Sequence, residues 1–255
     1  MDYQIFKKEM KESFKLDLNS YKEKQLLRRI NVVMNKFGVD DYRSLLSSLE
    51  KDRSSYGSFI DGMTINVTEF FRDKALFGKF EAEIIPGLLE KKRSLKVWSA
   101  ACANGAEPYS VAIILNELTP GTRHTIDATD LDENILRVAA AGFYPADLLK
   151  NVSPPRTQKY FKKQGERFAL DDQIKRMISF RKHDLLLEPF RRGYDLIVCR
   201  NVMIYFTKEA QFKVNTKFAQ SLNPGGILFT GGSETIFDYG ELGFARLSPC
   251  FYRKL

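Results

Sequence analysis

The stretch LKVWSAACANGAEPYSVAIILNEL, residues 95–118, decides the fold. Its first six residues, LKVWSA, are typical of a buried β-strand, and AEPYSVAIILNEL has the pattern of the helix that follows. The same order recurs later in the chain, in the strand-like pieces HTIDATD, YDLIVC, GGILFTG and CFYRKL and in the helix-like pieces ENILRVAAAG and KEAQFKVNTKFAQSL. Strands that alternate with helices predict an α/β fold, a doubly wound and mainly parallel sheet with helices on both faces.

The residues before this stretch predict helices instead. Apolar side chains recur at helical spacing over residues 21–37, and Gly38 follows where a capping glycine belongs. Asp40 or Asp41 can then cap a second helix. We therefore predict a small all-helical N-terminal domain at residues 1–75 and the α/β domain at residues 76–255.

One stretch, residues 142–190, breaks the alternation of strands and helices. Two short strand-like pieces, RFAL and MISF, lie there among turn residues. This pattern predicts a small β insertion in the α/β domain at about residues 150–182.

Composition limits the function. The 255 residues are 44% hydrophobic and 28% charged, as in a folded globular protein. Two histidines and three cysteines without a CxxC pair argue against a His-rich or thiolate metal site, so we expect no metal. No apolar run approaches the roughly 20 residues that span a bilayer, and the first residues do not resemble a secretory signal. We expect a cytoplasmic protein.

The net charge of +8 leaves two interpretations open. It indicates either a solvated basic surface or a polyanionic partner such as a nucleic acid, a membrane surface or an acidic protein. The helix predicted at residues 21–37 has the same ambiguity, because its polar face carries more basic than acidic residues: Lys22, Lys24, Arg28, Arg29 and Lys36 against Glu23.

Ligands of open α/β sheets bind beyond the carboxyl ends of the strands, where the strand order reverses. This rule brings four loops to one site: residues 101–106, 130–132, 200–201 and 231–234. The first loop contains a single glycine, Gly105, so the GxGxxG fingerprint is absent and NAD or FAD is disfavoured. Its small residues still allow a ligand to lie close to the backbone.

Two acids belong to these loops. Glu107 is either a first-turn acid that interacts with the helix dipole, which the local sequence favours, or an acceptor for a cationic amine. Asp130 ends the second strand, where a carboxylate can accept both hydroxyls of a ribose. The alternative role for Asp130 is a helix N-cap, but Asp132 is better placed for it.

The neutral polar candidates are also ambiguous. Asn201 and Tyr205 can orient a substrate without carrying charge, or serve in a turn and in core packing. Upstream, Thr68 can cap a helix that begins at residues 69–71, which we favour locally. The alternative is a lid that places Asn66 and Arg72 over a cofactor.

Five motifs occur in one order along the chain: TINVTEFFRD, VWSAACANGAEPYS, ATDLD, YDLIVCRNVMIYF and NPGGILFTGGSE. Together they resemble the chemotaxis receptor-glutamate methyltransferases, the CheR family. The resemblance implies a helical domain for receptor recognition and a class I S-adenosylmethionine (SAM)-dependent methyltransferase domain. It further implies methyl transfer to glutamate side chains on the cytoplasmic helices of chemoreceptors, with S-adenosylhomocysteine as the product.

The resemblance also assigns site residues by matching motif. It places Arg72 and Tyr205 nearest the incoming carboxylate, as catalytic residues. It assigns cofactor contacts to Asn66, Thr68, Arg72, Glu107, Asp130, Asp184, Leu185, Asn201 and Val202. The chain departs from the family where STGEEPYS is usual, because only the second acid of that motif, Glu107, is kept; Asp184 stands where the family often has Asn.

The resemblance implies chemoreceptor helices as partners, no nucleic acid, no insertion into the membrane and a monomer. The sequence leaves two alternatives open. The charge of +8 also suits a methyltransferase that acts on nucleic acid or on another acidic protein, although the [DNS]-P-P-[YF] run of nucleic-acid amino-methylating enzymes is absent after YDLIVC. The other alternative is a non-enzymatic regulator that recognises receptor helices.

Overall fold

The computed structural model describes residues 1–64, 66 and 68–255, and of Arg53 the backbone alone. Ile65 and Val67, two positions of the TINVTEFFRD motif, lie outside the described residues. Within the described residues, every helix is too short or too polar to cross a bilayer.

The N-terminal part is all-helical, as predicted. Its elements are α1 (Tyr3–Phe14), a 3-10 turn (Leu18–Ser20), α2 (Glu23–Phe37), α3 (Tyr42–Lys51) and α4 (Arg53–Met63). Gly38 ends α2 in the left-handed conformation with φ 65°. The side chain of Asp41, not that of Asp40, caps α3 by accepting hydrogen bonds from the backbone of Arg43 and Ser44. These helices bury a core of their own, which includes Phe6, Ile30, Leu45 and Phe59.

The rest of the chain alternates strands and helices. Up to residue 141 the elements are α5 (Lys74–Lys79), a π-helical turn (Phe80–Ile84), α6 (Ile85–Leu89), β1 (Lys96–Ala100), α7 (Ala106–Leu118), β2 (Thr125–Asp130) and α8 (Glu133–Ala141). Then follow β3 (Phe143–Pro145), a 3-10 turn (Ala146–Leu149), α9 (Pro154–Tyr160), β4 (Phe161–Gln164), β5 (Arg167–Leu170), α10 (Asp172–Lys175) and β6 (Ile178–Lys182). The last elements are β7 (Tyr194–Cys199), a 3-10 turn (Met203–Tyr205), α11 (Lys208–Ser221), β8 (Leu222–Thr230), β9 (Phe244–Ser248) and β10 (Phe251–Lys254).

In the described part of the chain, seven strands form one sheet in the order β6-β2-β1-β7-β8-β10-β9. The first five are parallel, whereas β10 pairs antiparallel with both β8 and β9. The prediction of a doubly wound, mainly parallel sheet is therefore confirmed. The chain leaves β1 on one side towards β2 and β6 and returns on the other side as β7, so the strand order reverses between β1 and β7. Ligands of such sheets bind at this point of reversal.

A second, three-stranded antiparallel sheet has the order β3-β5-β4 and is inserted before β6. The RFAL piece is β5, as expected for the insertion. The prediction that MISF belongs there too was wrong, because its last three residues are part of β6, which pairs in parallel with β2 in the main sheet. As an edge strand, β6 mixes partly buried and exposed residues, as a hairpin strand also does.

The helix expected to begin at residues 69–71 was also predicted wrongly. The chain turns there with φ of 50° at Phe71 and 62° at Asp73, and α5 begins only at Lys74. Tertiary contacts replace the helical hydrogen bonds, since the Phe71 N–H donates to Ser110 Oγ at 2.9 Å. Both Phe70 and Phe71 are buried, so packing outweighs the local preference for a capped helix.

Aromatic rings join α5 and the π-helical turn that follows it to one face of the main sheet. Phe80, which is 0% exposed, stacks on Phe229 of β8 at 5.2 Å between ring centroids and on Phe251 of β10 at 6.5 Å. Phe77 packs edge-on against Phe80 at 5.7 Å. This cluster anchors the segment that leads from the N-terminal helices into the sheet.

We expect Phe80→Ala to lower the free energy of unfolding of the α/β domain by about 3–5 kcal/mol, because the change leaves a cavity inside this cluster. Denaturant unfolding followed by the fluorescence of Trp98, the single tryptophan, measures the effect. The matched control is Phe237→Ala, whose ring is 84% exposed and whose loss should change the stability by no more than about 0.5 kcal/mol. Equal losses in the two variants would contradict the packing argument.

Candidate active site

A cavity of about 410 Å³ opens between the N-terminal helices and the carboxyl ends of β1, β2 and β7. This volume lies in the range of roughly 300–1,000 Å³ that is usual for sites that bind small molecules. All ten residues that the sequence singled out line this one cavity: Asn66, Thr68, Arg72, Glu107, Asp130, Asp184, Leu185, Asn201, Val202 and Tyr205. The structure thus brings the ten together, while the contact assigned to each stays a prediction.

Backbone strain is concentrated at this cavity. Three residues of its wall, Ala101, Ala103 and Asn201, are in the left-handed region with φ of 59°, 47° and 60°. This region is uncommon for residues other than glycine and costs on the order of 1–3 kcal/mol each, so it persists only where the surroundings enforce it. The small alanine side chains leave the backbone of the β1–α7 loop close to the cavity.

Glu107, at the start of α7, is buried beneath the first loop. Its carboxylate accepts a hydrogen bond from Ser99 Oγ at 2.9 Å and lies 3.6 Å from a guanidinium nitrogen of Arg200. Burial raises the pKa of Glu107, and the charge of Arg200 and the Ser99 hydrogen bond oppose that rise. The helix-dipole interpretation is therefore incomplete. Glu107 is a buried carboxylate that lines the cavity, so it can also accept a hydrogen bond from a cationic amine.

Asp130 ends β2 and faces the same cavity. Its two carboxylate oxygens accept hydrogen bonds from the backbone of Ala103 at 2.9 Å and of Asp132 at 3.1 Å. Burial raises the pKa of Asp130, while these two hydrogen bonds favour its charged form. Asp132, as predicted, is the N-cap of α8. Its second oxygen accepts from the side-chain amide of Asn66 at 2.8 Å and so holds Asn66 at the cavity wall.

Arg72 lies in the turn between Phe71 and Asp73. The buried guanidinium of Arg200, 1% exposed, holds this turn by donating to the carbonyl oxygen of Arg72 at 3.2 Å and to the carboxylate of Asp73. The guanidinium of Arg200 also lies over the ring of Phe229 at 4.7 Å. Sequence reasoning missed this role of Arg200, although a basic residue directly after a buried apolar strand was a usable signal.

The loop after β6 closes another side of the cavity. The Asp184 carboxylate accepts from the backbone of Leu186 at 2.7 Å, and burial raises the pKa of Asp184. Leu185 is 6% exposed and adds apolar surface beside it. A carboxylate next to an apolar side chain can hold a heteroaromatic base by one hydrogen bond and by packing.

The N-terminal helices complete the wall, which sequence reasoning did not foresee. The Lys22 N–H donates to the carbonyl oxygen of Tyr205 at 2.9 Å, and the rings of Tyr21 and Phe206 meet edge-on at 5.2 Å between centroids. Arg28 and Arg29 of α2 also line the cavity. The basic face of α2 is therefore continuous with the mouth of the cavity.

The residues that line the cavity match the chemical groups of SAM. Buried carboxylates at Glu107 and Asp130 suit a cationic amino group and ribose hydroxyls. The side-chain oxygen of Asn201 is buried and has no hydrogen-bond partner among the residues that the structure describes. Because Asn201 lines the cavity, this oxygen can accept a hydrogen bond from a ligand. Within the described part of the chain, no group of three or more His, Cys, Asp or Glu residues could hold a metal ion.

Two family models match the chain. The all-alpha domain of the CheR methyltransferases matches residues 1–64, and the SAM binding domain of the CheR methyltransferases matches residues 66–246.

The similar curated proteins are named as chemotaxis methyltransferases. A chemotaxis protein methyltransferase of Listeria innocua is 42% identical over 255 residues, covering 99% of this chain and 97% of that protein. A probable chemotaxis protein methyltransferase of Rhizobium etli is 33% identical and covers 92% of this chain and 93% of that protein. Among solved structures, a TehB-like SAM-dependent methyltransferase of Corynebacterium glutamicum aligns with a TM-score of 0.40 at 15% identity over 68% of this chain and 84% of its own, and we draw no conclusion from it.

We expect the affinity for SAM to fall as the pH is lowered. The fall should begin at a higher pH than the one at which an exposed carboxyl group becomes protonated. Burial raises the pKa values of Glu107 and Asp130, so their charged forms are lost as pH falls through these raised values and the cationic ligand loses its partners. Calorimetric titration with SAM from neutral pH downward measures the effect. Affinity that stays constant down to about pH 4, the ordinary carboxyl range, would contradict it.

Asp130→Ala should abolish SAM binding in the same titration, because it removes the acceptor at the end of β2 together with the anchor of Ala103. A suitable control is Asp147→Ala, an exposed acid of the insertion that does not line the cavity. Unchanged binding by the Asp130 variant would count against the assignment of this carboxylate to the ribose.

Proposed function

The chain belongs to the CheR methyltransferase family and is a SAM-dependent methyltransferase, and from that premise we propose that it methylates glutamate side chains on the cytoplasmic helices of transmembrane chemoreceptors. The products would be glutamyl methyl esters and S-adenosylhomocysteine. One observation supports the proposal most: the cavity that gathers the ten site residues is bordered by the basic face of α2, with Arg28 and Arg29 in its wall.

The proposed reaction needs little acid–base catalysis. SAM, when bound, supplies a methyl group on a sulfonium, and this methyl passes to a carboxylate oxygen as its bond to sulfur breaks. A glutamate acceptor with an ordinary pKa near 4.3 is already ionised at neutral pH. The reaction needs no general base, which agrees with a chain that has only two histidines.

The residues of this chain act by binding and alignment. In the proposal, Glu107 holds the amino end of SAM, Asp130 its ribose, and Asp184 with Leu185 its adenine. The cofactor contacts are completed by Asn66, Thr68, Arg72, Asn201 and Val202. Alignment of this kind can lower a barrier by roughly 7–11 kcal/mol relative to the reaction of free partners.

Arg72 and Tyr205 are the proposed residues nearest the acceptor carboxylate. The backbone carbonyl of Arg72 is fixed by Arg200, and that of Tyr205 by Lys22, so both residues have defined positions. A guanidinium orients a carboxylate through charge-assisted hydrogen bonds. It must not stabilise the unreacted carboxylate too strongly, because catalysis requires tighter binding in the transition state.

Receptor recognition falls, in this proposal, to the N-terminal domain at residues 1–75. Lys22, Lys24, Arg28 and Lys36 are exposed on or beside α2 and complement an acidic receptor helix. The proposal includes activity as a monomer. A receptor segment that faces the cytoplasm also implies a cytoplasmic enzyme.

The test is transfer of a tritiated methyl group from SAM to receptor-containing membranes, with RNA as the competing acceptor. We expect label on the membranes, and mild base should release it as volatile methanol because an ester hydrolyses there while a methylamine does not. Label on RNA, or base-stable label on protein, would favour the alternative acceptors. Absence of any transfer, with SAM still bound, would favour the non-enzymatic regulator.

Arg72→Ala should lower kcat with receptor by about 100-fold, because the acceptor carboxylate loses its alignment. The affinity for SAM should change much less, since the buried acids remain. Steady-state kinetics and calorimetry separate the two effects, and Arg93→Ala, an exposed arginine remote from the cavity wall, is the control. A variant that loses SAM affinity and keeps its kcat would reverse the roles assigned here.

A further inference from the structure

Glu234, in the loop after β8, has an unusual set of partners. It is 7% exposed, and its carboxylate accepts hydrogen bonds from four backbone N–H groups. The donors are Asn201 at 2.7 Å, Val202 at 2.8 Å, Met203 at 2.7 Å and Gly231 at 2.8 Å. Three of them are consecutive residues of the loop after β7.

This geometry explains the strained backbone at Asn201. Successive N–H groups can converge on one anion where a residue in the left-handed region adjoins one in the right-handed region, which makes a concave anion-binding nest. Asn201 has φ 60°, and the anion held in the nest is the carboxylate of Glu234. A buried carboxylate is tolerated when hydrogen bonds compensate its desolvation, so the nest and Glu234 depend on each other.

Gly231 is required for the same contact. A Cβ atom at this position would come 2.5 Å from Glu234 Oε2 and 3.0 Å from the Asn201 nitrogen. Any side chain at 231 would therefore push the carboxylate away from the nest. A Cβ at the neighbouring Gly232 would meet nothing within 4 Å.

The nest forms the part of the cavity wall nearest the proposed catalytic tyrosine. Asn201 and Val202 line the cavity, and the 3-10 turn that holds Tyr205 begins at Met203. Glu234 itself does not line the cavity. The orientation of these wall residues therefore depends on a carboxylate behind them.

We propose that Glu234 is a positioning residue for methyl transfer, which fixes Asn201, Val202 and Tyr205 towards SAM and the acceptor without contacting either. The part that concerns Tyr205 and the acceptor rests on the proposed function, whereas the part that concerns Asn201 and Val202 rests on SAM binding alone. Glu234, which follows β8, adds to the sequence-derived site a residue from a fifth strand end.

The test uses the full chain with Glu234→Gln, which keeps the side-chain shape but presents an NH2 group to two of the four donors. We expect the dissociation constant for SAM to rise about 10- to 100-fold and kcat with receptor to fall by a similar factor, since a displacement of about 1 Å can cost 100-fold. Gly231→Ala, which keeps the carboxylate but displaces it, should act in the same direction. The matched controls are Glu241→Gln, an exposed glutamate, and Gly232→Ala.

Calorimetry separates positioning from a general loss of structure. A reversibly unfolded fraction raises the apparent dissociation constant only by the reciprocal of the folded fraction, which denaturant unfolding of each variant measures, so a rise no larger than this factor reflects lower stability alone. That result, or an unchanged dissociation constant and kcat, would overturn the proposal. If Glu234→Gln does not fold, Gly231→Ala decides by the same criteria.

The proposed function fails if the wild type binds SAM but does not methylate receptors. The SAM dissociation constants of the variants still test the role of Glu234 in that case.

Discussion

The parallel pairing of β1 with β2 and with β7 is the constraint on which the rest of this molecule depends. These ladders bring the carboxyl ends of the three strands to one edge of the sheet, so that the residues following each strand meet. Glu107, Asp130 and Asn201 are far apart along the chain and share one cavity only because of this register. The aromatic packing of Phe80 on β8 and β10 holds the sheet and the preceding helix as one body.

The site is built on buried charge. Burial raises the pKa values of Glu107, Asp130 and Asp184, and backbone or side-chain hydrogen bonds offset part of the cost of their charged forms. Such a set of acids favours a ligand that carries positive charge. Arg200 does not cancel them, because its guanidinium is also engaged with Asp73 and with the backbone of the Arg72 turn.

The two domains share the cavity. Backbone hydrogen bonds join Lys22 to Tyr205 and Thr207 to Ser20, so the segment before α2 is tied to the loop after β7. The basic face of α2 begins directly after this tie. In the proposed function, an acceptor helix that docks on α2 lies against the same wall that carries Tyr205. Docking of the helix therefore also aligns its carboxylate for the reaction.

The sequence by itself determined the α/β alternation, the helical N-terminal domain and the caps at Gly38 and Asp132, which follow from local periodicity and capping chemistry. The resemblance of its motifs to the CheR family singled out ten residues that line the cavity. The choice of Asp41 over Asp40 as the cap of α3 came from the structure. Only the tertiary structure decided the turn at Phe71 to Asp73, the place of β6 in the main sheet, and the roles of Arg200, Tyr21 and Glu234. Each of these depends on partners distant in sequence, such as the four N–H groups that converge on Glu234, and no local pattern encodes which donors a folded chain will bring to one carboxylate.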